Sequence, residues 1–357
     1  MQSRGIDALV LTPGAAMQYL TGFSEEAYER LLCLIVRAET EVATFVVPAL
    51  NMDQAQANPA KISRVLPWTD SQGWETTLSA QFHHHGASTV GVDDNMPARF
   101  LLPIQRILPN ASVVSGGLVI VDLRSVKDNN ELDAMRRAAR LTDLAYHAAV
   151  NACRPGCTET DLARVIEETI LQAGGELAFP TIVGSGPNSA LPHYAAGSRV
   201  ISEGDIVLLD LGARVDGYCG DITRVVSAGP PKAECAEIYN IVYRAHANAV
   251  RAVKPGVNAQ SIDFAARTIV ERAGFAEQFF HRTGHGIGIE EHESPNIVHG
   301  NAYELRAGNC FSIEPGIYLT GKFGVRLENI VAVAESGCEV LNEAIPPNLM
   351  DVADLRS

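Results

Sequence analysis

The chain has 357 residues, 46% apolar and 20% charged, an ordinary globular mix with length enough for two domains. Its 42 acidic and 28 basic side chains give a formal net charge of −14, which argues against nucleic acid or an anionic membrane as partner. No apolar run approaches the roughly 18 residues of a spanning helix, the opening MQSRGIDALVLTPG lacks a signal-peptide pattern, and seven scattered cysteines make no disulfide frame, so a cytoplasmic protein with reduced thiols is expected.

Residues 6–121 alternate short apolar runs with segments of helical periodicity. The runs DALVL (7–11), LLCLIV (31–36), VATFVVP (42–48), TVGVD (89–93) and LVIVD (118–122) predict strands. NMDQAQANPAKIS and NMPARFLLPIQRIL between them predict helices, which together make a small α/β domain. The HHH run at 83–85 reads as a solvated surface, because adjacent side chains diverge. A long helix then opens near Asp128 or Asn130, either of which can cap it. The domain boundary is placed at 123–128, giving domains of 1–122 and 123–357.

The second domain repeats itself. Pro155, Gly156, Ala173, Gly174, Phe179, Gly184 and Gly186 recur one hundred residues on as Pro255, Gly256, Ala273, Gly274, Phe279, Gly284 and Gly286. Each unit reads as a turn, an amphipathic helix and a Gly-rich apolar segment. Two related halves facing a shared cleft follow more naturally than a solenoid.

Acidic residues fall at matching places in these halves. In IVLLDLGARVDGYCGDITRVV, Asp216-Gly217 is a two-residue hairpin signal. That register sets Asp210 opposite Thr223 and puts Asp210 and Asp221 on one face as diagonal neighbours. In FSIEPGIYLTGKFGVRLENIVAV, Glu314 and Glu328 lie symmetrically about a turn near Gly321. Carboxylates on an inner strand face are costly unless paired or protonated, and the first hairpin carries no lysine. His285, in the Gly-rich stretch HRTGHGIGIEEHESP, adds an imidazole. Oxygen donors with one imidazole suit Mn²⁺, Co²⁺ or Zn²⁺, and four carboxylates balance two divalent ions better than one. His292 and His193 are candidates for proton donation or oxyanion stabilisation. His147, His246, His281 and His299 lack such a constellation.

The blocks LLDLGARVDGYCGDITR, GHGIGIEEHESP, SIEPGIY and GVRLEN resemble those of the proline-directed "pita-bread" metallopeptidases, the Xaa-Pro dipeptidases (prolidases) and Xaa-Pro aminopeptidases (aminopeptidase P). The resemblance implies an α+β pita-bread catalytic domain with an internal two-fold repeat, and a smaller α/β creatinase-like N-terminal domain. It implies five metal ligands, Asp210, Asp221, His285, Glu314 and Glu328, holding two divalent ions, Mn²⁺ foremost. A hydroxide bridging those ions is then the nucleophile, with Glu314 as proton shuttle. His193 and His292 match histidines that steady substrate and tetrahedral intermediate, and Arg326 matches an arginine of the site. The implied substrates are short proline-containing peptides, Xaa-Pro dipeptides first, and the implied assembly is a homodimer.

Two departures stand out. Many dipeptidases of the family carry arginine after the HExP segment, where this chain has Asn296, so a dipeptide carboxylate needs another cation, with Arg326 the candidate. Val225 replaces the usual threonine after DITR. An Xaa-Pro aminopeptidase acting on longer peptides is the alternative. A metal-free creatinase-type hydrolase and a non-catalytic binding module are disfavoured, because all five ligand types stand in place.

Overall fold

The structure, a computed structural model, describes residues 1–23, 25, 29–40, 42–83 and 87–355, with only the backbone of His83. The histidine run at 83–85 thus lies outside the described side chains. The chain divides into two compact units, Met1–Arg124 and Ser125–Ser357.

The first unit holds strands β1 (Ala8–Leu11), β2 (Cys33–Arg37), β3 (Thr44–Pro48), β4 (Arg64–Trp68), β5 (Thr89–Val92) and β6 (Ser112–Ser115). Its helices are α1 (Ala15–Thr21), α2 (Met52–Gln56), α3 (Trp74–His83), α4 (Ala98–Ile107) and α5 (Gly117–Arg124). The strands form one mixed sheet in the order β4-β3-β2-β1-β5-β6. Alternate β1 residues serve two cores. Ala8 and Val10 pack with Trp74, Leu78, Phe100 and Ile104, while Leu9 and Leu11 pack with Met17, Ala55 and Ile120. A sheet covered on both faces explains why its central strands read as unbroken apolar runs.

One expected strand is corrected. LVIVD (118–122) lies in helix α5, where Ile120 and Arg124 are buried four residues apart and Leu118 and Leu123 are exposed. A short apolar run cannot separate helix from strand by periodicity alone. The two edge strands were not foreseen. RVLPW contains Pro67, tolerated because an edge strand has a free side, and SVVS is short and polar at its ends.

The second unit opens with α6 (Asn129–Ala152), whose N-terminus is closed by a capping box between Asp128 and Glu131. Helix α7 (Glu159–Gln172) has the same device, with Thr158 and Asp161. Strands β7 (Glu176–Leu177), β8 (Ile182–Ser185), β9 (Asp205–Leu211), β10 (Ala213–Val215), β11 (Tyr218–Cys219) and β12 (Ile222–Ala228) follow. Helices α8 (Ala233–Ala252) and α9 (Ala259–Arg272) precede β13 (Gly284–Gly286), β14 (Glu293–Ile297), β15 (Cys310–Ile313), β16 (Gly316–Leu319), β17 (Phe323–Arg326), β18 (Asn329–Val333) and β19 (Cys338–Val340).

The repeat is visible in the fold. Helix α9 starts and ends one hundred residues after α7. One sheet runs β12-β9-β8 and another β14-β13-β15-β18-β19, so a Gly-bearing strand, a strand with an acid at or just past its end and a return strand recur in each half. The first half's core joins α6 and α7 to β8, β9 and β12, and the second joins α8 and α9 to β15 and β18. Each fully buried Leu, Ile or Phe in these cores contributes about 1.5–3 kcal/mol. Among the described residues, no helix is long and apolar enough to cross a membrane.

Candidate active site

The Asp216-Gly217 turn places both residues at positive φ, 50° and 82°, as a tight hairpin of this kind requires. Val215 then pairs with Tyr218 and Asp210 with Thr223. Asp210 stands near the end of β9, and Asp221 lies in the gap between β11 and β12. In the other half, β16 pairs with β17 and β15 with β18 in a continuous register that sets Glu314 against Glu328. The ladder opens at those two residues. Glu314 N–H donates instead to Thr283 O (2.8 Å), and Glu328 N–H to Thr223 O (3.1 Å), which ties the halves together behind the acids.

His285 occupies the middle of β13. A Cβ at Gly284 would lie 1.8 Å from Ser312 O, and one at Gly286 would lie 2.3 Å from Ser294 O, so only glycine allows strands this close on either side of the histidine. His285 N–H donates to Ser312 Oγ (3.0 Å), and its Nδ1 lies 3.1 Å from Gly286 O. A carbonyl oxygen only accepts, so Nδ1 carries the proton and Nε2 presents a lone pair. That lone pair faces Glu314 Oε1 at 3.3 Å and Asp221 Oδ2 at 3.9 Å.

Asp221, His285 and Glu328 each place a donor atom within 4.8 Å of the other two, all three residues buried. Asp221 Oδ1 is buried with no hydrogen-bond partner. Glu328 Oε2 accepts from Thr223 Oγ1 (2.7 Å), and Glu314 Oε1 accepts from Ser312 Oγ (3.1 Å). Asp210 accepts from Arg326, which also donates to Tyr318 Oη (2.8 Å) and Thr223 Oγ1 (2.9 Å). Acceptor atoms converging without protons between them are what a divalent cation requires.

The electrostatics agree. Burial, more than any neighbour, raises the carboxyl pKa of Asp210, raises those of Asp221 and Glu328 far above the usual range, and lifts Glu314 to about 7. Mutual repulsion among the acids adds to this. Burial, then the nearby His292, pushes His285 well below its ordinary value. Without a cation the protein therefore holds extra protons that its unfolded chain releases. Above about pH 7.5, where the histidines of the unfolded chain have lost most of their protons, the raised carboxyl groups leave the folded form with more protons than the unfolded form, so stability must fall as pH rises. We expect chelator-treated protein to lose unfolding midpoint from about pH 7.5 to 9, and added divalent metal to remove the slope. Denaturant titrations across that range test this; a flat profile for the metal-free protein contradicts it.

The four acids and His285, with His193, His292 and Arg326, line one cavity of about 1100 Å³. His292 is exposed on its wall, its ring 4.0 Å from that of His285. His193 is exposed on the loop after Ala190, which the buried Glu159 anchors through Tyr194 Oη (2.9 Å) and Gly197 N (3.3 Å). Arg326 is 4% exposed, and its guanidinium is engaged on Asp210, Tyr318 and Thr223, so it positions rather than receives.

His281 is a correction. It lines the cavity, with Nε2 3.1 Å from Tyr318 Oη and its ring against Phe279 and Phe280. Its only sequence signal was proximity to His285, four residues on. Tyr318 and Thr223 were also missed, since neither belongs to a charged pattern. His147 pairs at the surface with Glu343 (2.7 Å), His246 is buried and pushed down to about 3, and His299 is exposed; none lines the cavity.

Comparison with known proteins adds a family. Residues 133–335 match the sequence profile of metallopeptidase family M24, and residues 1–126 match that of the creatinase/prolidase N-terminal domain. A Mycobacterium tuberculosis protein named probable dipeptidase PepE is 41% identical over 342 residues, covering 95% of this chain and 90% of that one. A recombinant prolidase from Thermococcus sibiricus superposes with TM-score 0.92 at 36% identity, over 98% of this chain and 95% of the other. An X-Pro aminopeptidase from Thermotoga maritima superposes with TM-score 0.84 at 30% identity, over 97% of each chain. The fold is thus the pita-bread catalytic fold with a creatinase-type N-terminal domain.

Proposed function

Because the chain belongs to metallopeptidase family M24, we propose that it hydrolyses the Xaa-Pro bond of short peptides, Xaa-Pro dipeptides first, using two divalent ions, Mn²⁺ foremost. Asp210, Asp221, His285, Glu314 and Glu328 would hold them. The observation that carries this reading is the buried convergence of Asp221, His285 and Glu328 at a cavity with an orphaned Asp221 oxygen. When bound, divalent ions supply a Lewis acid for the scissile carbonyl and bring the pKa of a water toward neutrality.

The chain's own groups do the rest. Glu314 has the most open carboxylate of the set, with 15% side-chain exposure against 7% for Asp221 and 12% for Asp210. It can take a proton from the attacking water and pass it to the imide nitrogen, which needs one to leave. His292 and His193 reach the cavity from opposite halves of the repeat, suited to steady the carbonyl oxygen as charge grows there. Arg326 keeps the Asp210 carboxylate turned inward. Phe179, Pro192, Phe280 and Tyr318 give the cavity apolar wall for a pyrrolidine ring. Proline lacks the amide hydrogen that ordinary peptidases bind, so a site that grips its ring gains selectivity.

The relatives named as dipeptidase and prolidase favour the dipeptide reading, and the aminopeptidase relative keeps the longer-peptide alternative in view. Comparing kcat/KM for Ala-Pro, Ala-Ala and Ala-Pro-Ala-Ala decides. We expect Ala-Pro to lead both by at least about tenfold, or about 1.4 kcal/mol of transition-state stabilisation. A tenfold lead for the tetrapeptide moves the assignment to an Xaa-Pro aminopeptidase, and equal rates for Ala-Ala remove proline specificity.

A further inference from the structure

Three guanidinium groups line the cavity, those of Arg164, Arg282 and Arg326. Arg326 is consumed by Asp210, Tyr318 and Thr223. Arg164 is 61% exposed and faces Asp161 at 3.7 Å. Arg282 differs from both. Its side chain donates through Nη1 to the neutral amide oxygen of Asn296 (2.7 Å), and among the described residues no carboxylate pairs with it. The cavity that carries the four acids therefore keeps one cation that is not locked in a salt bridge, although its charge reaches Glu314.

The backbone around Arg282 is held on both sides. Arg267, itself clamped to Asp263, donates to Phe279 O (2.9 Å) and His281 O (3.0 Å). On the other side Thr283 N–H donates to Ile297 O (3.0 Å), and Thr283 Oγ1 donates to Asp263 Oδ1 (2.7 Å). The side chain thus projects from a fixed base three residues before His285, and Asn296 steadies its tip without neutralising it. A guanidinium so prepared suits the two oxygens of a carboxylate, and little ordering entropy remains to be lost on binding.

We propose that Arg282, steadied by Asn296, binds the terminal carboxylate of the substrate's proline and so selects free-acid Xaa-Pro dipeptides. This rests on the Xaa-Pro reading above. A dipeptide whose scissile carbonyl sits over the acids carries its carboxylate one residue further on, within about 3.3–3.6 Å of extended chain per residue. There it meets repulsion from the acids unless a cation receives it. Arg282 fills that role, and Arg326, the cation expected from sequence, does not.

The test compares Ala-Pro with Ala-Pro-amide, which differ only in the terminal charge. In the wild type the free acid is expected to be preferred. R282M should lose at least about tenfold in kcat/KM on Ala-Pro and less than about twofold on the amide, in line with loss of a charge-assisted contact. R282K should recover part of the loss. N296D sets a carboxylate beside Arg282 on an exposed strand position and should likewise erase the preference for the free acid. Calorimetric binding supplies a readout without turnover: L-proline should weaken in R282M, and L-prolinamide should not. Equal losses on acid and amide, or none on the acid, overturn the assignment of Arg282 alone. A wild type that cleaves neither peptide overturns the Xaa-Pro reading and this assignment with it.

Discussion

Replacing Glu328 with glutamine is expected to lower kcat/KM for Ala-Pro by about a thousandfold or more, near 4 kcal/mol of transition-state stabilisation, without unfolding the protein. Glu328 is 2% exposed, and its Oε2 accepts from Thr223 Oγ1 at 2.7 Å, a bond the amide oxygen of glutamine can keep. What the amide cannot keep is the negative charge that faces Asp221 and His285. Glutamine also brings N–H donors to a place where acceptors crowd one another, which relieves the repulsion that holds the acids protonated. The metal-free variant should therefore unfold at the same midpoint as the metal-free wild type, or higher, and should gain less from added metal. Circular dichroism, denaturant unfolding and initial rates separate these effects. A variant with near wild-type rates removes Glu328 from the catalytic set.

His292→Ala is expected to lower kcat by about a hundredfold to a thousandfold with KM changed less than about threefold. The ring stands on the cavity wall 4.0 Å from His285, so its loss opens no void in the core and removes no ligand. Partial desolvation by the cavity wall, then the charges of Arg282 and His193, keep its pKa below the ordinary value, so at neutral pH it is an uncharged hydrogen-bond donor. Such a donor gains most where charge develops on the carbonyl oxygen. Metal content should match the wild type. A raised KM with unchanged kcat places His292 in substrate binding instead, and lost metal places it in the ligand shell.

Much of this site is legible in the sequence, for physical reasons that differ from residue to residue. The pairing of Asp210 with Thr223 followed from one dipeptide, because Asp216-Gly217 admits few turn geometries and a register counts outward from it. The duplicated Pro-Gly turns marked two helices whose equivalence is exact in length. Glycines around His285 signalled close strand approach, and the contacts at Gly284 and Gly286 explain them. The ligand set as a group came from resemblance, since spacing alone left the pairing of four acids open.

Other features had no local signature. Helix α5 looked like a strand because a run of four apolar residues satisfies either period. The edge strand RVLPW gave no strand signal, because Pro67 interrupts its short apolar run. The network from His281 through Tyr318 and Arg326 to Thr223 spans residues far apart in sequence, and nothing in any one segment announces it. The same distance hid the fact that Arg326 is held by Asp210 while Arg282, among the described residues, is bonded to an amide and to no carboxylate. Buried Arg224 is similar: it donates to the Glu328 and Glu343 carbonyls beneath the site, a structural duty that a lone arginine in DITRVV does not reveal.

The central claim is that these five residues form a divalent-metal centre that cleaves Xaa-Pro. The most direct measurement strips the protein with chelator, returns Mn²⁺ in steps, and follows bound metal together with Ala-Pro hydrolysis. The account predicts negligible hydrolysis when stripped and a plateau at about two ions per chain, within the two-metal scheme. Full activity in the stripped protein, or no cleavage of Ala-Pro once metal binding saturates, contradicts it.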